Sequence, residues 1–96
     1  MIVIYKMESK FTIASTEIKK LSEDPFSNEQ KLKIYSLYKQ ATVGDCNIAK
    51  PGILNPTGRA KWNAWNELKG KDKESSMNEY VEFVKKYLPE DIQSQL

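Results

Sequence analysis

Histidine is absent from the 96 residues, and cysteine occurs once, at Cys46. Without histidine the chain lacks the usual general base near neutral pH and the commonest metal ligand. A lone cysteine forms no intrachain disulfide, which fits a reducing compartment. With no imidazole to activate it, Cys46 reads as a loop thiol rather than a nucleophile. Enzyme chemistry is disfavoured, with carboxylates and tyrosines as the groups left for it. Long apolar runs are also missing. "MIVIY" at the start is five residues, too short for a membrane span or a signal-peptide core. The expected compartment is the cytoplasm. No window alternates apolar and polar residues between hairpin turns, so strands are not expected.

A chain of this length is one small domain that buries roughly 60–65 % of its unfolded surface. It has room for one core and a groove, and little room for a large catalytic apparatus. Charge is unevenly spread. Residues 1–30 carry four lysines and five acids, net −1. Residues 31–73 carry nine basic and three acidic residues, net +6, and residues 74–96 are net −3. A basic middle on a nearly neutral protein fits either a solvated lysine-rich face or a local anionic ligand.

Helical periodicity recurs four times. Phe11, Ala14, Ile18 and Leu21 share one face, with Ser9 as the expected cap and Pro25 ending the segment. Residues 1–8 are expected to be a flexible extension, 9–90 the folded domain and 91–96 a tail. The second helix starts at "SNEQ", where Ser27 and Gln30 have capping-box spacing. It carries two stripes. Ile34, Leu37, Tyr38 and Ala41 form a core stripe, while Leu32, Tyr35 and Lys39 lie on a neighbouring face. Gly44 is a natural stop. Residues 44–57, "GDCNIAKPGILNPT", have no helical period and form a long crossover. A third helix spans about Gly58 to Leu68 or Lys69, with Trp62 and Trp65 read as core. A fourth runs from about Lys73 to Leu88, capped by Asp72 or Ser75. These spacings predict an all-α four-helix bundle with the crossover between helices 2 and 3. A parallel middle pair across it would give the up-down-down-up order.

Tyr35 and Lys39, one turn apart, can offer a hydroxyl and an ammonium to one phosphate. An adjacent ring offers a stacking face for a base. Lys61 stands near the start of the third helix, where unpaired N–H groups favour anions. Snorkelling along Trp62 is the competing role for Lys61. No glycine-rich phosphate loop, zinc spacing or catalytic triad is present. The ligand matching this pattern has phosphate groups, a base and an apolar part.

"YKQATVGD" (38–45), "KPG" (50–52), "GRAKWNAWNELKGK" (58–71) and "KESSMNEYV" (73–81) resemble the acyl-CoA-binding protein family in order and spacing. The resemblance covers about residues 11–88. It implies the same up-down-down-up four-helix order, and a non-enzymatic carrier and buffer for medium- to long-chain acyl-CoA thioesters in lipid metabolism. The acyl chain would lie in a groove between helices, covered by the CoA headgroup. Acyl-CoA is bound as ligand, with no cofactor and no metal. The residues implied to hold it are Lys19, Leu32, Tyr35, Ser36, Leu37, Tyr38, Lys39, Lys61 and Tyr80. Lys39 and Lys61 would then share one phosphate. The implied partners are long-chain acyl-CoA and, transiently, acyl-CoA-using enzymes or membranes. A monomer is expected, with no nucleic-acid partner and no integral membrane segment. The competing readings are a helical nucleic-acid module, from the basic middle, and a thioester hydrolase. One extra residue falls near "EDPFSNE", at the acyl end of the family's groove, and "MIVIYKMES" is unlike the family.

Overall fold

The computed structural model describes residues 2–96, with side chains from Met7 onward. The main helices are α1 (Ile2–Ile18), α2 (Asn28–Thr42), α3 (Pro56–Asn66) and α4 (Lys73–Val84). A single 3₁₀ turn, Lys85–Tyr87, and a short α5, Glu90–Gln93, complete the chain. The described residues contain no strand.

Local chemistry sets most boundaries. Ser27 accepts from the Gln30 backbone N–H, and the Gln30 side chain accepts from the Ser27 N–H. Two otherwise orphaned donors are thereby satisfied at the start of α2. Gly44 ends that helix with φ 100°, a left-handed value, and its N–H donates to the Lys39 carbonyl. Asp72 caps α4 by accepting from the Ser75 N–H at 2.7 Å. Of the two caps considered, the carboxylate is the one used.

Three boundaries differ from expectation. Ser9 is not a cap, because α1 is one helix from Ile2 to Ile18. Nothing in residues 2–10 is a proline or glycine, and serine inside a helix costs only a few tenths of a kcal/mol, roughly. The expectation for residue 1 lies outside the described residues. Helix α3 starts at Pro56 rather than Gly58, with Asn55 accepting from the Gly58 N–H. Asparagine at the cap followed by proline at the first helical position suits a helix start. Helix α4 stops at Val84 rather than at about Leu88, and beyond it Ile92 and Leu96 pack against the core.

The core comes from three helices and the turn after α4. Phe11, Ala14, Leu37, Ala41, Tyr80, Val81, Val84 and Leu88 form one buried cluster. Helix α4 packs on both α1 and α2, and α3 packs on α2. The directions follow from the contacts. Met7 shares a recess with Asp72 and Ser75, so α1 and α4 are parallel. Gln40, late in α2, bonds to the Lys71 carbonyl just before α4, while Gln30 bonds to Tyr87 after it. Helices α2 and α4 are therefore antiparallel. Asn28 and Leu32 line one recess with Pro56 and Ala60, so α2 and α3 start together and run parallel. The order is up-down-down-up.

The crossover from α2 to α3 is pinned along its length. The indole N–H of Trp65 donates to the Gly44 carbonyl, and that of Trp62 to the Ile48 carbonyl, both at 2.8 Å. Trp65 is buried as expected, whereas Trp62 is only half-buried. Asp45 accepts from the Gln40 amide and from the Gly70 N–H. One carboxylate thereby ties the end of α2 to the loop before α4.

Candidate functional site

Parallel packing of α2 and α3 brings their exposed edges into register. Lys61 holds its ammonium 5.4 Å from the centre of the Tyr35 ring, and Lys39 holds its own 5.6 Å from the Trp65 ring. Tyr35 and Lys39 are four residues apart on α2, and Lys61 and Trp65 are four apart on α3. Each helix therefore contributes one aromatic ring and one cation, a turn apart, in opposite order. A turn rises about 5.4 Å, so both ammonium groups sit on one short stretch of the seam.

Neither lysine is neutralised. Among the described residues the ion pairs are Lys20–Glu17, Lys31–Asp24 and Lys71–Glu79. Lys31, also on this edge, is held by Asp24, whose carboxyl is drawn below its ordinary range chiefly by that bond. Lys39 and Lys61 instead rest against ring faces, which attract cations without cancelling their charge. A phosphate between them would gain two ammonium donors and the Tyr35 hydroxyl.

Beside this array the seam opens into a cavity of about 400 Å³ lined by Asn28, Lys31, Leu32, Pro56, Thr57, Ala60 and Lys61. Leu32 is half-buried and also borders a second recess, of about 370 Å³, with Ala64 and Leu68. Leu32 therefore faces both recesses, the second of which is also lined by Glu29, Lys33, Ser36 and Glu67.

Toward the other end of α2 lies a cluster of rings. Tyr38 is 37 % exposed, and its inner face stacks on Phe11 with centroids 5.6 Å apart. Tyr80 lies 5.0 Å edge-on from Phe11 and 6.2 Å from Tyr38. Tyr80 is buried, and burial first, then the neighbouring Tyr38, pushes its phenol up to about 12. It therefore stays neutral at any physiological pH.

On the α2–α3 seam the cationic pair of Lys39 and Lys61 lies next to the apolar cavity at Leu32, and the exposed Tyr38 ring stands on the side of α2 that faces α1 and α4. The structure brings Leu32, Tyr35, Lys39 and Lys61 together on the α2–α3 seam, and gathers Tyr38 and Tyr80 with Phe11 in the ring cluster. Ser36 borders the second recess beside Leu32, whereas Leu37 points into the core. Ser36 is buried with its hydroxyl on the Lys33 carbonyl, and Leu37 is 1 % exposed in the core. They lie between Tyr35 and Tyr38 in sequence but on the inner face of the helix. Lys19 is exposed in the turn after α1, and among the described residues no hydrogen bond or ion pair ties it to the array. Sequence reasoning missed Phe11 and Trp65 as parts of the site. Both read as core by helical spacing, and both are buried. Their contribution is the ring that braces Tyr38 or carries Lys39.

The family model described as acyl-CoA-binding protein matches residues 8–84. An acyl-CoA-binding protein homolog from Drosophila melanogaster is 45 % identical over 78 residues, which span 81 % of this chain and 90 % of that protein. The crystal structure of Oryza sativa acyl-CoA-binding protein 2 superposes with a TM-score of 0.78 at 44 % identity, covering 83 % of this chain and 86 % of that one. The corresponding protein from Moniliophthora perniciosa gives a TM-score of 0.79 at 35 % identity, with coverage of 92 % and 90 %.

Proposed function

We propose that this chain, which belongs to the acyl-CoA-binding protein family, binds medium- to long-chain acyl-CoA thioesters and acts as their carrier and buffer in the cytoplasm. The observation that carries this reading is the crossed array of Tyr35, Lys39, Lys61 and Trp65 next to an apolar cavity on the same seam. Lys39 and Lys61 hold the 3′-phosphate, with the Tyr35 hydroxyl as a third donor. The exposed Tyr38 ring, braced by Phe11 and Tyr80, stacks on the adenine. The acyl chain enters the cavity past Leu32 and Ala60.

Magnitudes divide the work between the two ends of the ligand. Each charge-assisted bond contributes about 1.5–3 kcal/mol. Each buried methylene adds about 0.8 kcal/mol, so a long chain outbinds free CoA by many kcal/mol. The bundle does not need to bend a bond or move a proton for this. It acts as a monomeric binding protein rather than an enzyme. A nucleic acid would use the lysines but leave the apolar cavity empty. Among the described residues no helix is long and apolar enough to cross a membrane.

Titration calorimetry with palmitoyl-CoA, CoA and palmitate tests the reading. The thioester should bind more tightly than micromolar, CoA far more weakly, and palmitate hardly at all. Thioester binding weaker than micromolar would overturn it.

A further inference from the structure

The crossover carries an anomaly that headgroup binding does not use. Residues 52–55 form a tight turn, closed by the Asn55 N–H on the Gly52 carbonyl at 3.0 Å. Its two central positions are Ile53 and Leu54, which are 80 % and 96 % exposed. Turn centres are normally glycine, proline, asparagine, aspartate or serine. A pair of large aliphatic side chains there gains nothing for the fold. The turn also stands clear of the domain, because no atom lies within 4 Å of where a Cβ would sit at Gly52.

This tip is held, not slack. Pro51 and Pro56 fix the backbone on either side. Asn55 caps α3, and the Trp62 indole holds the Ile48 carbonyl upstream. Among the described residues, three of the five exposed large apolar side chains, Ile48, Ile53 and Leu54, fall in the crossover, and a fourth, Val43, directly precedes it. Its charge is one-sided. Between Asp45 and Glu67 there is no acid, while Lys50, Arg59 and Lys61 are all basic. Among the described residues none of the three is ion-paired.

We infer that the Gly52–Asn55 turn is a docking tip for an anionic lipid bilayer. Ile53 and Leu54 enter the boundary between headgroups and acyl chains, and Lys50 and Arg59 meet lipid phosphates beside them. Exposed aliphatic side chains with a basic rim have the chemistry of interfacial binding. A protein partner would need a shaped pocket for each side chain, whereas a bilayer accepts both without one. The tip also sits at the cavity mouth. Leu54 is two residues from Pro56, which lines that cavity, so within about 7 Å of chain. Docking therefore turns the cavity toward the membrane. The inference stands apart from the ligand assignment, since it needs no acyl-CoA present.

Co-sedimentation of the ligand-free protein with vesicles tests it. The parent should bind vesicles of phosphatidylcholine with phosphatidylserine, bind phosphatidylcholine alone much more weakly, and detach as salt rises. The double substitution Ile53→Ser, Leu54→Ser should weaken binding by at least about tenfold, with helical circular dichroism unchanged. In a second variant, Ile53→Trp, the new indole should shift its fluorescence to the blue and be quenched by brominated lipid. Absence of parent binding, equal binding to both vesicles, or full binding by the double variant would each overturn the inference. A dimer in ultracentrifugation that the double variant abolishes would assign the tip to a second copy instead and overturn it too.

Discussion

The ammonium of Lys61, on α3, stands 5.4 Å from the ring centre of Tyr35, on α2. They lie 26 positions apart in sequence, and the pinned crossover brings them together. The same packing sets Lys39 against Trp65 one turn later. Two cations that would repel each other are kept on one seam by ring faces rather than by carboxylates. That leaves their charge free for an anion.

Removing either charge should therefore weaken binding without harming the fold. Lys39→Ala and Lys61→Ala should each lower palmitoyl-CoA affinity by about 1.5–3 kcal/mol, roughly tenfold to a hundredfold. Tyr35→Phe should cost less, because it removes one neutral donor. Thermal unfolding should stay close to the parent's for both lysine variants. Calorimetry and circular dichroism on the same samples check both halves.

Much of this was legible in sequence, and the exceptions have physical causes. The Ser27–Gln30 box, the Gly44 stop and the double stripe on α2 follow from spacing alone. The start of α3 did not, although "NPTG" carries a cap residue followed by proline. The two prolines in "KPGILNPT" made the whole stretch read as loop. Ser36 and Leu37 sit between two site residues in sequence, yet 100° per residue turns them inward. Phe11 and Trp65 could not be found by periodicity, because a buried ring that braces a ligand contact has the same spacing as one that fills a core. Ile53 and Leu54 carry a visible signal, since aliphatic residues rarely occupy a tight turn.

Tyr80 links the ring cluster to alkaline stability. Its folded value is raised from 10.0 to about 12 by burial and by Tyr38. The neutral phenol thus stabilises the fold below pH 10, and this contribution is lost as pH rises through 12. Urea unfolding at pH 9 to 12 should show stability falling across that window. Tyr80→Phe should flatten the fall, because the buried phenol whose ionisation opposes folding is gone.

Asp45 acts at the opposite end of the scale. The Gly70 N–H and the Gln40 amide draw its carboxyl below the ordinary 3.8. Its contribution is present above that value and lost as pH falls through the lower folded one. Asp45→Asn should destabilise the bundle at neutral pH and weaken the acid dependence. Denaturation midpoints at neutral pH and below 3.8 check the sign.

Gly44 holds a left-handed backbone at φ 100°. An added Cβ would meet Lys73 Cε at 3.6 Å, an ordinary contact, so space is not the difficulty. The cost is conformational. Gly44→Ala should destabilise by about 1–2 kcal/mol. Because Trp65 is anchored to the Gly44 carbonyl, the variant should also disturb the indole environment. Urea unfolding followed by tryptophan fluorescence reads both effects.

The sharpest measurement concerns one phosphate shared by two helices. Palmitoyl-CoA and its 3′-dephospho analogue should be titrated into the parent, Lys39→Ala, Lys61→Ala and the double variant. Removing the 3′-phosphate should weaken the parent by more than tenfold and make both lysine substitutions nearly silent. In the phosphorylated series the two substitutions should be non-additive, as expected for groups acting on one partner. Equal lysine effects on both ligands would contradict the account, because the charges would then serve something other than that phosphate.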